Sequence, residues 1–309
     1  MSNQPLVTVF TATYNRGNSL GGVYECLCRQ SFKDFEWIVV DDGSNDGTGN
    51  LVKSWAEQQR ICIRYFYQDN NGKHIAMNKA LEEARGCYFV NIDSDDVMRD
   101  NALERFVSAW DAIPQAQRES FVSVKARCYD PDTGIDVGKP IPGGTMVTTF
   151  LDAKYKHKLD FETWSMARTE IRRQYPNPDI RGGKNGGGLR FYPEGIWQDL
   201  AARKYKILLL DESLRGYTQN TSTSLMGRGR KYDRSPENIH LWTHMVNDDL
   251  DYFVCAPNTF VKAIIGVSMD GFLLGKSIGE TLSLVHGVGK KLLVLLAMPA
   301  GYLLYLKRR

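Results

Sequence analysis

The chain has no Cys-x-x-Cys pair, no Gly-x-Gly-x-x-Gly after its first apolar run and no basic, apolar leader behind Met1. Its longest charge-free apolar run falls short of the about 18–20 residues that one membrane span needs. Each absence removes a class. Without paired cysteines, the six cysteines (Cys26, Cys28, Cys62, Cys87, Cys128, Cys255) read as reduced structural thiols of a cytoplasmic protein rather than a zinc ribbon or a disulfide framework. Without the glycine fingerprint, a nicotinamide-dependent oxidoreductase is disfavoured. Without a leader, export is not expected. Charge of either sign is also scarce in excess: 39 Lys and Arg against 36 Asp and Glu give a net +3, too little to point to nucleic acid as a partner. The remaining composition, 42% hydrophobic and 24% charged over 309 residues, is that of a soluble globular protein with room for one large α/β domain plus an extension.

Along the first hundred residues, apolar runs alternate with helical patterns. Leu6 to Thr13 reads as a buried strand ending in Tyr14-Asn15-Arg16-Gly17, and Ser19 to Gln30 as a helix with Leu20, Val23, Tyr24 and Leu27 on one face. Phe35 to Val40 is a second strand, Leu51 to Gln59 a helix, Ile61 to Tyr67 a third strand, His74 to Arg85 a helix and Cys87 to Ile92 a fourth strand. This alternation predicts a mostly parallel sheet flanked by helices, with ligands bound beyond the carboxyl ends of the strands. Further on, a helix is expected near Ala102 to Ala112, a strand near Phe121 to Tyr129, a helix over Glu194 to Lys204 and a strand over Ile207 to Leu210. Arg181 to Gly188 (RGGKNGGG) is a glycine-dense loop, read equally as a lid or as a long surface loop. Tyr217 to Arg230 reads as a polar, flexible segment.

The polar clusters fall at strand ends. In Asp93-Ser94-Asp95-Asp96 three carboxylates crowd one turn, where they repel one another unless a cation neutralises them. A divalent Mg2+ or Mn2+ held by one or two carboxylates and a diphosphate is the economical reading, against an Asp-rich turn that merely caps the next helix. Asp41-Asp42-Gly43-Ser44 ends another strand of the same sheet, where a carboxylate reads either as an acceptor for the N–H of a nucleobase or as a turn residue that caps the next helix. His240 and His244 stand four apart, but no Glu follows His240 in the manner of a zinc protease, so zinc is disfavoured there. Arg228, Arg230 and Lys231 read either as a clamp on a diphosphate or as a solvated basic loop.

Four ordered stretches, Val7 to Arg16 (VTVFTATYNR), Gln30 to Thr48 (QSFKDFEWIVVDDGSNDGT), Asn71 to Ala84 (NGKHIAMNKALEEA) and Gly86 to Asp96 (GCYFVNIDSDD), resemble the family 2 glycosyltransferases, inverting enzymes of the GT-A fold. A looser likeness runs from about 160 to 225. The resemblance implies a GT-A type nucleotide-binding domain over 1–225, with a donor-binding half (1–110) and an acceptor or catalytic half (111–225), followed by a C-terminal helical extension (226–309). It implies Tyr14, Asn15 and Asp42 at the nucleobase of a nucleotide-sugar donor, UDP favoured, and Lys73 at the diphosphate. It further implies Asp93 by the ribose or sugar, Asp95 as the ligand of Mn2+ or Mg2+, and Asp96 in support. Inverting transfer needs a general base for the acceptor hydroxyl. Glu194, after Pro193 and at a helix start, is the choice; the alternatives are Asp199 as the base, or Glu194 serving only as an acid at the positive end of the helix dipole. A nucleotidyltransferase, or a non-catalytic nucleotide- or glycan-binding protein, is the rival reading.

Leu292 to Leu306 is uncharged for fifteen residues and is bracketed by Lys290-Lys291 and Lys307-Arg308-Arg309. Too short for an ordinary span and containing Pro299, it is expected to lie on a membrane as an interfacial or re-entrant segment drawn to anionic lipid. Phe260 to Leu274 is expected to pack on the catalytic domain or to lie on the bilayer. Together these imply a protein peripheral or monotopic on the cytoplasmic face of a membrane, acting on a lipid-linked or polymeric glycan in cell-envelope synthesis.

Overall fold

The structure, a computed structural model, describes residues 4–159, 162–180, 189, 191–217 and 235–308. The amino-terminal third forms as the alternation predicts. Strand β1 (Val7–Thr13) is followed by helix α1 (Gly17–Cys28), β2 (Phe35–Asp41), α2 (Thr48–Glu57), β3 (Cys62–Tyr67), α3 (Lys73–Glu83) and β4 (Tyr88–Asn91). These four strands are mutually parallel in the order β3-β2-β1-β4. Every residue of β2 is buried, as expected of a parallel strand covered on both faces. Alternation along the strands divides the core. Val7, Val9, Trp37 and Val39 meet Leu20, Val23, Leu27 and Trp55 of α1 and α2 on one face. On the other face Phe10, Ile38 and Val40 meet Ala76, Met77 and Ala80 of α3. Tyr24 stacks on Trp55 with ring centres 4.5 Å apart, and Trp37 lies alongside, so three aromatics fix how both helices sit on the sheet.

Beyond β4 the sheet continues through β5 (Val97–Met98), α4 (Ala102–Asp111), β6 (Phe121–Tyr129), β7 (Thr145–Thr148), β8 (Thr163–Arg168), α5 (Thr169–Arg173), α6 (Gly195–Ala201) and β9 (Lys206–Gly216). Among the described residues one nine-stranded sheet results, in the order β3-β2-β1-β4-β8-β6-β9-β5, with β7 also on β9. Strand β8 enters antiparallel between β4 and β6, so the sheet is mixed, as expected. Its sequence, TWSMAR, is too short and too mixed to announce a strand; its neighbours on both sides create it. Strand β9 runs to Gly216, well beyond the four residues expected, because its far end pairs with β5 and closes over the acidic turn. Helix α6 ends at Ala201, three residues before the predicted end. The glycine-dense loop, Arg228, Arg230, Lys231 and the boundary expected at 225 lie outside the described residues.

Helices α7 (Ser235–Asp248), α8 (Pro257–Leu273), α9 (Ile278–Ser283) and α10 (Val288–Arg308) complete the chain. Phe260, Ala263, Val267, Val294 and Met298 form a core with Leu151, Tyr155 and Ala202, so the helices pack on the sheet-bearing part of the molecule. The tail, expected as an interfacial or re-entrant segment of a helical extension, is one continuous helix. Its 21 residues include Pro299 and extend about 31 Å at 1.5 Å per residue. By length and mean hydropathy of 1.3 it is a candidate span. One edge of it, Val294, Met298 and Gly301, is buried, while Leu292, Leu293, Leu295, Leu296, Leu303 and Leu306 are exposed. Gly301 permits a close crossing on α8: a Cβ there would stand 2.2 Å from Ser268 Oγ and 3.0 Å from Met269 N. Gly301→Val is therefore expected to push α10 off α8 and lower stability by about 1–3 kcal/mol, measured by denaturant unfolding.

Candidate active site

Strands β1, β2 and β4 deliver their polar ends to one edge of the sheet. At the end of β2, Asp42 is 5% exposed and holds the segment that leads to α3. Its Oδ1 accepts from Gln68 Nε2 (2.7 Å) and Asn71 N (2.9 Å), and its Oδ2 accepts from Gly72 N (2.9 Å). Burial pushes this carboxyl above its ordinary range while the three N–H donors pull it back. Three of its four acceptor positions are thus engaged, leaving one, on Oδ2, for an incoming N–H. Gly72, at φ 94°, makes the turn that a side chain would strain, and sets Lys73 as the first residue of α3. At the end of β1, Asn15 adopts φ 52° and ties the β1 and β2 termini together: its N–H donates to Ser44 Oγ (2.8 Å) and its Oδ1 accepts from Asn45 N (2.9 Å). Tyr14 beside it is 49% exposed, an open aromatic face at the rim.

The acidic turn after β4 carries its own cations. Asp93 Oδ1 is 2.6 Å from Lys73 Nζ, Asp95 Oδ2 is 3.6 Å from Arg16, and Asp96 Oδ2 is 3.4 Å from Arg215 Nε. The repulsion inferred from the sequence is therefore relieved by three basic side chains as well as by any ion. Burial would raise Asp93, but Lys73 and then Arg215 hold it below the usual carboxylate range. Asp96 is 3% exposed and burial, opposed by Arg215 and reinforced by Asp93 and Asp95, pushes it up to about 7. Asp95 has the longest of the three ion pairs and its side chain is 23% exposed. Its oxygen donors suit a hard cation, Mg2+ or Mn2+, better than zinc.

Lys73 also reaches Glu194, with Nζ 2.7 Å from Oε1. One ammonium thus joins the acidic turn to the N-cap residue of α6, and the two carboxylates hold it charged against its burial. The structure brings Lys73 into direct contact with both Asp93 and Glu194. Asp199 is fully buried and faces Lys154 and His244. His240 and His244 do not share a site, since His240 packs on Tyr192 and His244 turns to Asp248. Arg16 and Arg215 were not singled out in the sequence. Arg16 lies within the quoted YNR, and Arg215 in a stretch whose partner is set by pairing across 119 residues of chain, Val97 with Gly216. Arg215 also binds Glu162 at 2.6 Å, and the electrostatic field of the acids keeps it charged despite burial.

Comparison with known proteins bears on this geometry. Residues 8–133 match the model of Glycosyl transferase family 2. TuaG of Bacillus subtilis (strain 168), a glycosyltransferase named for teichuronic acid biosynthesis, is 37% identical over 103 residues, 33% of this chain and 40% of TuaG. Glycosyltransferase GlyG of Streptococcus pneumoniae serotype 4 is 33% identical over 100 residues, 32% of this chain and 33% of GlyG. The chain thus aligns with well under half the length of these relatives. In shape it resembles S. aureus TarS 1–349 in complex with UDP-GlcNAc, with a TM-score of 0.62, 17% identity, and coverage of 96% of this chain and 89% of that one. It resembles GalNAc-T7 with UDP, GalNAc and Mn2+ at a TM-score of 0.53 and 13% identity, over 81% of this chain and 50% of that one. At these identities the likeness is one of fold, and that fold is GT-A. Residues 8–133 thus carry the likeness to Glycosyl transferase family 2, and the chain as a whole has the GT-A shape.

Proposed function

We propose that the chain transfers a sugar, with inversion, from a nucleotide-diphosphate-sugar to a hydroxyl of a lipid-linked or polymeric glycan, assisted by Mn2+ or Mg2+. The observation that carries this reading is the contact of Lys73 with both Asp93 and Glu194 at the carboxyl edge of the sheet. Ligands of open α/β sheets bind at such an edge. Tyr14, Asn15 and Asp42 then receive the nucleobase: Tyr14 offers a stacking face, and Asp42 keeps one acceptor position for a base N–H. UDP is favoured, in keeping with the UDP compounds bound by TarS and GalNAc-T7. Lys73 passes from the carboxylates to the diphosphate, Asp93 lies by the ribose or the sugar, Asp95 binds the metal and Asp96 supports it. A metal bound at Asp95 supplies charge to the departing diphosphate. Glu194 removes the proton of the acceptor hydroxyl as the anomeric carbon is attacked from the face opposite the diphosphate.

The proposal is tested by incubating the full chain with UDP-, GDP- and dTDP-sugars and Mn2+ and following thermal shift and nucleotide release. A UDP-sugar is expected to stabilise the protein and release UDP on adding a glycan or lipid-linked acceptor. Release of pyrophosphate from a nucleoside triphosphate would favour the nucleotidyltransferase. Binding without turnover over any acceptor would leave a binding protein.

Membrane association at a cytoplasmic surface rests on α10, whose exposed leucines lie between Lys290-Lys291 and Lys307-Arg308. Cations flanking an apolar face suit anionic headgroups over an acyl interior. The chain is expected to sediment with vesicles containing phosphatidylserine and much less with phosphatidylcholine alone. Leu296→Glu with Leu303→Glu is expected to abolish sedimentation at unchanged melting temperature, since both side chains are exposed.

A further inference from the structure

Away from the acidic turn, α6 meets the C-terminal helices through a buried polar cluster. Asp199 of α6, His244 of α7 and Asp249 just after it are 0%, 7% and 1% exposed. One ligand atom from each lies within 4.8 Å of the other two. His244 Nδ1 is 2.9 Å from Asp248 Oδ2, which fixes that nitrogen as the protonated one and directs the lone pair of Nε2 into the cluster. That Nε2 has no hydrogen-bond partner, and neither has Asp199 Oδ1. Buried polar atoms are rarely left so, because each forfeits its hydration without replacement.

Charge is not what the cluster lacks. Lys154 Nζ is 2.9 Å from Asp199 Oδ2, and Arg203 is 3.2 Å from Asp249 Oδ1, so both carboxylates already face a cation. The Tyr155 hydroxyl donates to Asp249 Oδ2 at 3.3 Å. What is lacking is a ligand between the imidazole and the two acids. His244 Nε2 stands 3.6 Å from Asp199 Oδ2 and 3.6 Å from Asp249 Oδ2. Those gaps are too long for hydrogen bonds. They lie close to the roughly 3.3 Å that separates two ligands on a tetrahedral ion with bonds of about 2.0–2.1 Å. A proton on Nε2 would have to be shared over both long gaps, whereas an ion midway would bond to all three groups after small shifts. The carboxylate at the far ring nitrogen is the usual companion of a metal-bound histidine.

We propose that Asp199, His244 and Asp249 bind a divalent cation of the zinc class, a site distinct from the oxygen-only turn at Asp95. One imidazole nitrogen and two carboxylates suit zinc, with a fourth position open to water. The ion is structural. It ties α6, whose N-cap residue is Glu194, to α7, and so holds the helix that presents the acid to the C-terminal extension.

The test is elemental analysis of the full chain, purified without chelator and dialysed, alongside zinc titration of chelator-stripped protein followed by melting and by the visible spectrum of Co2+ added in its place. About one equivalent of zinc is expected, retained in Asp95→Ala and lost in His244→Gln, and zinc is expected to raise the melting temperature of the stripped protein. Asp248→Asn is expected to fold normally and bind zinc about 10–100-fold more weakly. If His244→Gln fails to fold, Asp248→Asn and the Co2+ spectrum still decide. A stripped wild-type protein with no zinc-dependent melting shift and no tetrahedral Co2+ bands overturns the proposal, and assigns the gap to a proton on His244. Both results are independent of sugar transfer.

Discussion

Glu194→Gln is expected to bind the nucleotide-sugar with near-normal affinity and to lose about 10^2–10^4-fold in kcat, the usual worth of a positioned general base. The substitution keeps the shape of the side chain and an oxygen for Lys73, which stands 2.7 Å away, but removes the group that takes the proton. Donor affinity, read by titration calorimetry, separates this from a binding defect. A near-normal turnover would move the base elsewhere, and not to Asp199, which is fully buried against Lys154.

Asp95→Ala is expected to lower transfer about a thousandfold, since a Lewis acid at the leaving diphosphate is worth several kcal/mol and each factor of ten corresponds to about 1.4 kcal/mol. The fold should be unaffected. The side chain is partly exposed, and its pair with Arg16 is long, at 3.6 Å. Unchanged circular dichroism and melting, with loss of Mn2+-dependent donor binding, is the expected result. Full activity in this variant, or activity indifferent to chelator, would remove the metal from the reaction. Asp96→Ala is a poorer probe, because Asp96 is buried against Arg215 and its loss would leave that guanidinium facing Glu162 alone among its carboxylate pairs.

The parallel third of the molecule was legible because each of its strands is a near-continuous apolar run and each helix a regular stripe: Leu20, Val23, Tyr24 and Leu27 are all buried as the spacing requires. So were the positions of the polar clusters, since a strand buried on both faces must become polar where it leaves the sheet. Strands β5, β7 and β8 were not. Each is six residues or fewer and exists only where partners distant in sequence offer a ladder. The same distance hid the counterions. Three carboxylates in one turn read as a demand for a cation, and nothing local to 93–96 announces that Arg16, Lys73 and Arg215 meet part of it. Asp42 was legible as a site acid but not as a scaffold: that it organises Gln68, Asn71 and Gly72 ahead of Lys73 depends on the turn geometry. In the tail, fifteen uncharged residues understated the helix, because its ends continue through charged residues that composition had set outside it.

The pairing of β5 with β9 also bears on how the chain acquires its structure. The β1–β2 and β2–β3 ladders pair residues 28 and 26 apart (Val7 with Phe35, Glu36 with Cys62) and β1–β4 pairs residues 81 apart (Val7 with Tyr88), whereas the ladder that seats Arg215 against Asp96 closes between residues 97 and 216. Closing long loops slows folding more than it lowers stability. A nascent chain that has ordered its first ninety residues therefore presents the acidic turn before its buried counterion exists, and the turn gains that partner only when the last strand of the sheet docks.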